Sequence, residues 1–464
     1  MKNLKTLFNC NLDIEISNVK INSKEVNPGD LFICRKGINS DGHDFIGDAV
    51  QNGAVAIVVD RKVDFPIPKI YVNNVNEAIP DIMDWYYGNP NDNIRNIIGV
   101  TGTNGKTTLC NLVNKLLNYK SSCACIGTNG IHCKNYDLYQ YDFPNTTVAI
   151  DKLYDSINML QKENLENLVI ESSSYGLKQK RLGNIMFDIA LVTNFSEAHM
   201  GEHSDMQDYI NSKLMIIDKI KKEGYLILNK DDVSYQIFKS KCDKKILTFG
   251  SNKDADLYFK DVKESLNCTN FVIVYKNKEY SVKTKMLGLN GVYNICAAFL
   301  ICLTIGIDIN DLMTAVKDFY MPGKMENYKN VIIDYPATKD SLKKDLEFLI
   351  RNKKNKIIAV ISRNDDERIK EYEYFGDIST KYCDYVIFTT DRNKTGNSLA
   401  ITEMTKKLYS NNYEVIYDRK DAIEKALSLK NDNDIVYLTG GEYYSRKKKV
   451  DYVDPYKIID KFMK

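Results

Sequence analysis

The stretch Gly99-Val100-Thr101-Gly102-Thr103-Asn104-Gly105-Lys106-Thr107-Thr108 follows an apolar run, Ile97 to Val100, and opens a segment with leucines at helical spacing. Strand, glycine-rich turn and helix is the context in which such a loop cradles phosphate. The glycines let backbone N–H groups approach phosphate oxygens, and the helix N-terminus adds the positive end of its dipole. Lys106 can reach the β- and γ-phosphates, and the Thr107 hydroxyl can ligate Mg²⁺. The spacing is Gly-x-x-Gly-Lys-Thr, not the full Gly-x-x-x-x-Gly-Lys-Thr. A glycine turn that merely caps a helix is the plainer alternative, and Lys-Thr-Thr at the helix start argues against it. An ATP site on an α/β sheet is expected.

A chain of 464 residues exceeds one hydrophobic core, and about 150 residues per domain gives three domains. With only 9 prolines, the few turn clusters carry weight. Tyr87-Gly88-Asn89-Pro90-Asn91-Asp92 reads as a linker, because Gly, Asn and Pro interrupt helix and strand alike. Met321-Pro322-Gly323-Lys324 is a second break. The expected domains are 1–90, 91–322 and 323–464. The first holds short apolar runs at Ala54 to Val59 and Lys69 to Val72, and reads as a small α/β domain. In the second, strand candidates Ile97 to Val100, Leu168 to Ile170, Ile189 to Thr193 and Tyr225 to Leu228 alternate with helical patterns. Leu109, Leu112, Val113, Leu116 and Leu117 give one apolar helix face. Such alternation favours a parallel sheet with helices on both faces. From about Leu257 to Met286 the pattern turns antiparallel, with a turn near Asn277-Lys278. The third domain alternates again, with strands at Val331 to Ile333, Ile357 to Ile361, Tyr385 to Phe388, Glu414 to Tyr417 and Ile435 to Leu438. That is a Rossmann-like doubly wound arrangement. It lacks a Gly-x-Gly-x-x-Gly fingerprint, so dinucleotide binding is not indicated.

Lys plus Arg number 64 against 62 Asp plus Glu, a net charge of +2 that offers neither nucleic acid nor an anionic membrane a reason to bind. Met1 to Cys10 has no long apolar region and no run is expected to span a bilayer, so cytoplasm is the expected compartment. The 11 cysteines fit a reducing compartment. Cys123, Cys125, His132 and Cys133 lie close together, but no pair has Cys-x-x-Cys spacing, and structural thiols are the expected reading.

Beyond the phosphate loop, several stretches follow one another in a recognisable order. They are Pro144-Asn145-Thr146-Thr147; Glu171-Ser172-Ser173-Ser174-Tyr175-Gly176-Leu177 with Gln179 and Arg181; Thr193-Asn194-Phe195 with His199, His203, Tyr209 and Lys213; Gly288 to Ala298 with Asn294; and Met321-Pro322-Gly323-Lys324-Met325-Glu326. Asn22-Ser23-Lys24, Pro28-Gly29-Asp30-Leu31-Phe32 and Asp41-Gly42-His43 precede them. Together they resemble the Mur ligase family, most of all its branch that adds the third residue of the peptidoglycan stem peptide. The resemblance implies a three-domain α/β architecture: a small N-terminal domain for the UDP-substrate, a central phosphate-loop ATPase-like parallel-sheet domain, and a C-terminal Rossmann-like domain for the amino acid. It implies an ATP-dependent, ADP-forming acid–amino-acid ligase acting through an acyl phosphate on UDP-N-acetylmuramoyl-L-alanyl-D-glutamate, monomeric, with no nucleic-acid or membrane partner.

The family pattern also implies roles. ATP falls to Gly102, Thr103, Asn104, Gly105, Lys106, Thr107, Thr108, Asn294, Lys324 (Arg in the family) and Asp334. The UDP-muramoyl substrate falls to Ser23, Lys24, Thr146, Thr147, Ser173, Gln179 and Arg181. Mg²⁺ falls to Thr107, Glu171, His199 and Lys213, and catalysis to Lys106, Glu171, His199 and Lys213. The chemistry is consistent with these types. Phosphoryl transfer between anions needs charge neutralisation, so a cation site beside the loop is expected. A carboxylate at the end of a buried strand, as Glu171 is, is costly unless it binds metal or a hydrogen-bond network; a cap for the next helix is the plainer alternative. His199 would ligate through neutral imidazole, though a loop His is ordinarily just solvated. Lys213, with a reference pKa of about 10.4, cannot ligate Mg²⁺ as an ammonium. The family resolves this with a CO₂-derived carbamate; without the resemblance Lys213 is an ordinary lysine on the amphipathic stretch Tyr209 to Ile220.

The third domain departs from the family. Asp334-Tyr335 matches an Asp-Tyr-Ala-His-Thr-Pro motif, but Pro336-Ala337-Thr338-Lys339 lacks its His. Ser362 to Arg368 replaces Gly-Gly-Asp-Arg-Asp, Asp391-Arg392-Asn393-Lys394 replaces Asp-Asn-Pro-Arg, and Thr439-Gly440-Gly441-Glu442 is a remnant of Gly-Lys-Gly-His-Glu. Asp391 and Lys394 are the amino-acid-binding candidates. Two other readings compete: the same chemistry on a specialised metabolite or a folylpolyglutamate-like chain, and a nucleotide-binding partner without turnover. Thr146, Thr147, Ser173 and Arg181 favour the nucleotide sugar over folate, and the intact Lys106-Thr107 pair favours turnover.

Overall fold

The computed structural model describes residues 1–8, 10–37, 40–133, 136–138, 145–196, 203–363, 369, 372–390, 398–440 and 453–462. Among them the chain forms three large sheets, each with its own helices. The first is four-stranded and wholly parallel, in the order Val19–Lys20, Leu31–Ile33, Ala56–Val59, Lys69–Tyr71. Helix Val75–Tyr87 follows it and ends at Gly88, with Asn89 capping a short turn at Pro90–Asp92.

The central sheet has eleven strands. Its parallel middle runs Cys123–Gly127, Asn167–Glu171, Asn96–Thr101, Phe187–Val192, Ile220–Asn229, Lys245–Gly250, Leu257–Glu264. Because side chains alternate along a strand, Ile97 and Ile98 face opposite ways. Ile98, Val100 and Val169 pack with Leu109, Leu112, Val113 and Leu116 of helix Lys106–Leu117. Ile97, Leu168 and Ile170 pack with Leu153, Ile157 and Leu160 of helix Ile150–Gln161. The second cluster runs on into Leu31, Ile33 and Val58 of the first sheet, so the two sheets share a core. The antiparallel edge, Leu257–Glu264, Thr269–Tyr275 and Lys278–Thr284, turns at Lys276 and Asn277, both at positive φ as a tight hairpin requires.

The third sheet runs Glu326–Tyr328, Val331–Asp334, Ile435–Thr439, Ile357–Arg363, Tyr385–Thr390, Tyr413–Val415, parallel except for its first strand. Helices Lys339–Asn352, Tyr372–Tyr382 and Leu399–Thr405 cover one face, Arg419–Leu429 and Pro455–Phe462 the other. Gly376 lets two of these helices touch: a Cβ there would lie 1.8 Å from the Met404 carbonyl oxygen. Gly376→Ala is therefore expected to destabilise the fold by about 3 kcal/mol, the upper end for overpacking, read from urea unfolding. A loss below about 0.5 kcal/mol would contradict this packing.

Three details differ from the sequence reading. Strand Cys123–Gly127 was not among the expected strands; its Cys123 and Cys125 are buried against the phosphate-loop helix. Strand Gly130–Cys133 pairs antiparallel beside it, so His132 and Cys133 belong to the same sheet. Helix Gly288–Ile305 is long and apolar enough, by length and composition, to cross a membrane, contrary to the expectation of no such run; Val292 and Ile295 to Cys302 are buried in the core.

Candidate active site

The phosphate loop leaves strand Asn96–Thr101 at the sheet's carboxyl edge and enters helix Lys106–Leu117. Gly102 and Gly105 have φ of +139° and +85°, and a Cβ on Gly102 would lie 1.9 Å from Thr193 Oγ1. Only glycine holds this turn. Thr193 and Asn194 brace it from the next strand: Thr193 Oγ1 donates to the Asn104 carbonyl at 2.7 Å, and Asn104 N donates to Asn194 Oδ1 at 3.0 Å. Lys106 Nζ donates to the Gly102 and Thr103 carbonyls at 2.9 and 3.0 Å.

Glu171 ends the neighbouring strand, buried. Thr107 Oγ1 donates to its Oε1 at 2.8 Å and Thr128 N to its Oε2 at 2.9 Å. The helix-cap alternative does not describe Glu171, because Ser173 caps helix Ser174–Lys178. Thr107 and Glu171 both line the cleft and present oxygen donors, the set that suits a hard divalent cation. Lys213 is 1 % exposed. Its Nζ donates to the Gly102 carbonyl at 2.8 Å and sits 4.7 Å from the centre of the Tyr209 ring. The Tyr209 hydroxyl is 3.0 Å from Thr103 Oγ1. Lys213 is thus no surface lysine but a buried amine under the phosphate loop. His203 Nε2 lies 2.9 Å from Ser174 Oγ, and its Nδ1 lies 3.3 Å from an Asp208 carboxylate oxygen. Lys178 donates to Asp208 and holds that carboxyl down at about 2. His199, Asp391 and Lys394 lie outside the described residues.

A cleft of about 1160 Å³ opens from this loop toward the third domain. Asn294, Lys324 and Asp334 line it, together with Thr103 to Thr108, Thr146 and Glu171. Lys324 Nζ donates to the Tyr335 carbonyl at 2.7 Å. Asn104 Nδ2 donates to Thr338 Oγ1 at 3.1 Å, so the phosphate loop touches the cap of helix Lys339–Asn352 directly. The Thr338-x-x-Ser341 capping box was the local signal for that helix start.

On the other side of Glu171 four of the expected substrate residues, Thr147, Ser173, Gln179 and Arg181, come together. Thr147 Oγ1 donates to the Glu171 carbonyl at 2.9 Å and accepts from Ser173 N at 2.7 Å. Arg181 donates to the Thr147 carbonyl at 2.7 Å and to Gln179 Oε1 at 2.9 Å. Arg35, which the sequence reading did not single out, reaches the same Gln179 oxygen from the first domain at 3.4 Å. Ser23 is buried and Lys24 exposed in the turn Ser23–Glu25, whose Glu25 pairs at 2.8 Å with Lys152 of helix Ile150–Gln161.

Three family models match this chain: "Mur ligase family, catalytic domain" over residues 15–89, "Mur ligase middle domain" over 100–302, and "Mur ligase, glutamate ligase domain" over 323–441. UDP-N-acetylmuramyl-tripeptide synthetase 2 of Oceanobacillus iheyensis is 32% identical over 442 residues, 92% of this chain and 89% of the relative. UDP-N-acetylmuramoyl-L-alanyl-D-glutamate–2,6-diaminopimelate ligase of Bacillus cereus is 29% identical, covering 94% and 93%. A solved diaminopimelate ligase of the same name shares the fold at TM-score 0.70 and 23% identity, covering 100% and 98%. MurF ligase from Thermotoga maritima, solved in complex with ADP, does so at 0.67 and 22%, also covering 100% and 98%. The chain belongs to the Mur ligase family of ATP-dependent, ADP-forming amide ligases.

Proposed function

We propose that this protein joins an amino acid to the free carboxylate of UDP-N-acetylmuramoyl-L-alanyl-D-glutamate in peptidoglycan synthesis. The observation that carries the reading is Glu171, which meets both halves of the reaction. Its side chain accepts from Thr107 of the phosphate loop, and its backbone carbonyl accepts from Thr147 on the proposed sugar-nucleotide side. A carboxylate held beside Thr147, Ser173, Gln179 and Arg181 therefore lies next to a γ-phosphate held by Lys106 and the loop. The carboxylate oxygen attacks the γ-phosphorus, the bond to the β-phosphate oxygen breaks, and ADP leaves. The amine then attacks the acyl carbon, loses a proton and expels inorganic phosphate. Two guanidinium groups, Arg35 and Arg181, meet at Gln179 and suit that carboxylate. Mg²⁺ bound at Thr107 and Glu171 would neutralise charge between the γ-phosphate and the incoming carboxylate.

Lys213 is proposed to carry a carbamate. A buried ammonium is costly, and the neutral amine is the form that adds CO₂, losing a proton to become an anionic oxygen donor. The protein is proposed to act as a monomer, and the proposed compartment is the cytoplasm, where ATP is supplied. The acyl phosphate is directly testable: with hydroxylamine replacing the amino acid, the muramoyl-dipeptide hydroxamate is expected to accumulate only when ATP is present. Hydroxamate formed equally without ATP would overturn the acyl-phosphate route.

The amine is proposed not to be meso-diaminopimelate. Lys394 stands where the family's Arg would grip a carboxylate with two parallel bonds, and an ammonium is a point charge without that fork. Asn393 also replaces the Pro that would restrict the loop. L-Lysine or a small neutral amino acid loses less from this change. Competition among diaminopimelate, lysine, ornithine and neutral amino acids is expected to give diaminopimelate a kcat/KM about tenfold or more below the preferred acceptor, the worth of one charge-assisted bond. A preference for diaminopimelate would refute the argument.

A further inference from the structure

Lys324 reaches the cleft from a turn with an uncommon backbone. Met321-Pro322-Gly323-Lys324 closes with Lys324 N donating to the Met321 carbonyl at 3.0 Å. Within it Gly323 stands at φ +67°, and Met325, just after it, at φ +45°. Glycine enters this left-handed region freely, but a side chain as large as that of methionine rarely does. Such a residue persists when its surroundings over-determine it, so the groups that hold this turn are informative.

Glu326 holds it from the start of strand Glu326–Tyr328. One carboxylate oxygen, Oε2, accepts from Gly323 N at 2.8 Å and from the Tyr456 hydroxyl at 2.6 Å. Lys324 Nζ, bonded to the Tyr335 carbonyl, also lies 5.3 Å from the centre of the Tyr335 ring. Gly323, Lys324, Glu326 and Tyr335 line the cleft, whereas Tyr456 does not and acts from behind. Tyr456 belongs to the last helix, Pro455–Phe462, and its N–H donates to Asp454 Oδ1 at 3.0 Å. Ile458 and Ile459 bury one side of that helix with Val331, Ile333 and Leu438 of the third sheet. Tyr456 and Asp460, four residues apart and so on one face, both turn to strand Glu326–Tyr328. Asp460 Oδ1 accepts from the Tyr328 hydroxyl at 2.9 Å, and the Tyr328 and Tyr456 rings meet edge to face at 5.0 Å. The helix therefore does more than cover apolar surface: two hydroxyl–carboxylate bonds, of the stronger charge-assisted kind, fix the strand that carries the junction.

We propose that Tyr456 is a positioning residue for ATP binding: through the Glu326 carboxylate it holds Gly323 and Met325 in the left-handed form that aims Lys324 into the cleft. The inference rests on the reading of Lys324 as an ATP-side residue. Without the hydroxyl the carboxylate loses a partner, and the turn relaxes toward conformations in which Lys324 points elsewhere.

The test measures, in the full chain with Mg²⁺, the Kd of a non-hydrolysable ATP analogue by calorimetry, together with the melting temperature in its absence. Lys324→Ala is expected to raise Kd about tenfold or more, the worth of one charge-assisted contact. Tyr456→Phe keeps the ring against Tyr328 and removes the hydroxyl alone. Kd is expected to rise about fivefold, with the melting temperature within about 3 °C of native. A merely structural bond would instead lower the melting temperature and leave Kd alone. In the Lys324→Ala background Tyr456→Phe is expected to have no further effect, because residues that act through one another are not additive. Glu326→Gln keeps an acceptor oxygen without the charge, and is expected to raise Kd about threefold, again not when Lys324 is absent. If Tyr456→Phe does not fold, Glu326→Gln carries the same cycle with the same outcomes. An unchanged Kd, or an equal rise with and without Lys324, would overturn the positioning role while leaving Lys324 as an ATP residue. If Lys324→Ala leaves Kd unchanged, the ATP-side reading of Lys324 fails, and the inference with it.

Discussion

Replacing Lys106 with Ala is expected to lower turnover by on the order of 10²–10³ or more while the protein remains folded. The amine folds back onto the Gly102 and Thr103 carbonyls, at the mouth of the loop where the γ-phosphate would lie. Its charge matters most when negative charge redistributes over the transferring phosphoryl group, so kcat should suffer more than folding. Loss of two partly exposed hydrogen bonds costs about 1–2 kcal/mol of stability, within what a domain tolerates. The check pairs ATP-dependent hydroxamate formation with thermal melting. Near-normal acyl-phosphate formation in a folded variant would remove the phosphate-loop assignment.

The Lys213→Ala variant is expected to lose activity by a comparable factor, on the order of 10² or more, and to recover part of it with formate or acetate. Removing the side chain leaves a buried space between the Gly102 carbonyl and the Tyr209 ring, large enough to admit a small carboxylate. If the carbamate oxygens are what the reaction needs, a carboxylate in that space supplies them. Lys213→Arg separates this from a merely structural role: it restores a buried cation but cannot be carbamylated, and should stay inactive without rescue. Full activity in either variant would refute the carbamate.

The elements that carry the site were readable wherever periodicity was local. The strands flanking the phosphate loop and the five leucine and valine positions after it fall where alternation and helical spacing put them. Strand Cys123–Gly127 escaped because Cys-Ala-Cys-Ile-Gly has one β-branched residue and no polar alternation, and it is buried on both faces. Its cysteines drew attention as possible ligands instead. Lys213 looked like any lysine on an amphipathic helix, since its burial depends on Gly102, 111 residues earlier in the chain. Arg35 reaching Gln179 is likewise a contact between domains, with no local pattern to announce it.

The most direct test of the ligase account is ADP and phosphate release with one substrate omitted at a time. The complete mixture holds ATP, Mg²⁺, UDP-N-acetylmuramoyl-L-alanyl-D-glutamate and a panel of amino acids. The account predicts sustained release, with one amide formed per ADP, only when the muramoyl-dipeptide and an accepted amino acid are both present. Release that proceeds at the same rate without the muramoyl-dipeptide, or no release with any amino acid in its presence, would contradict it.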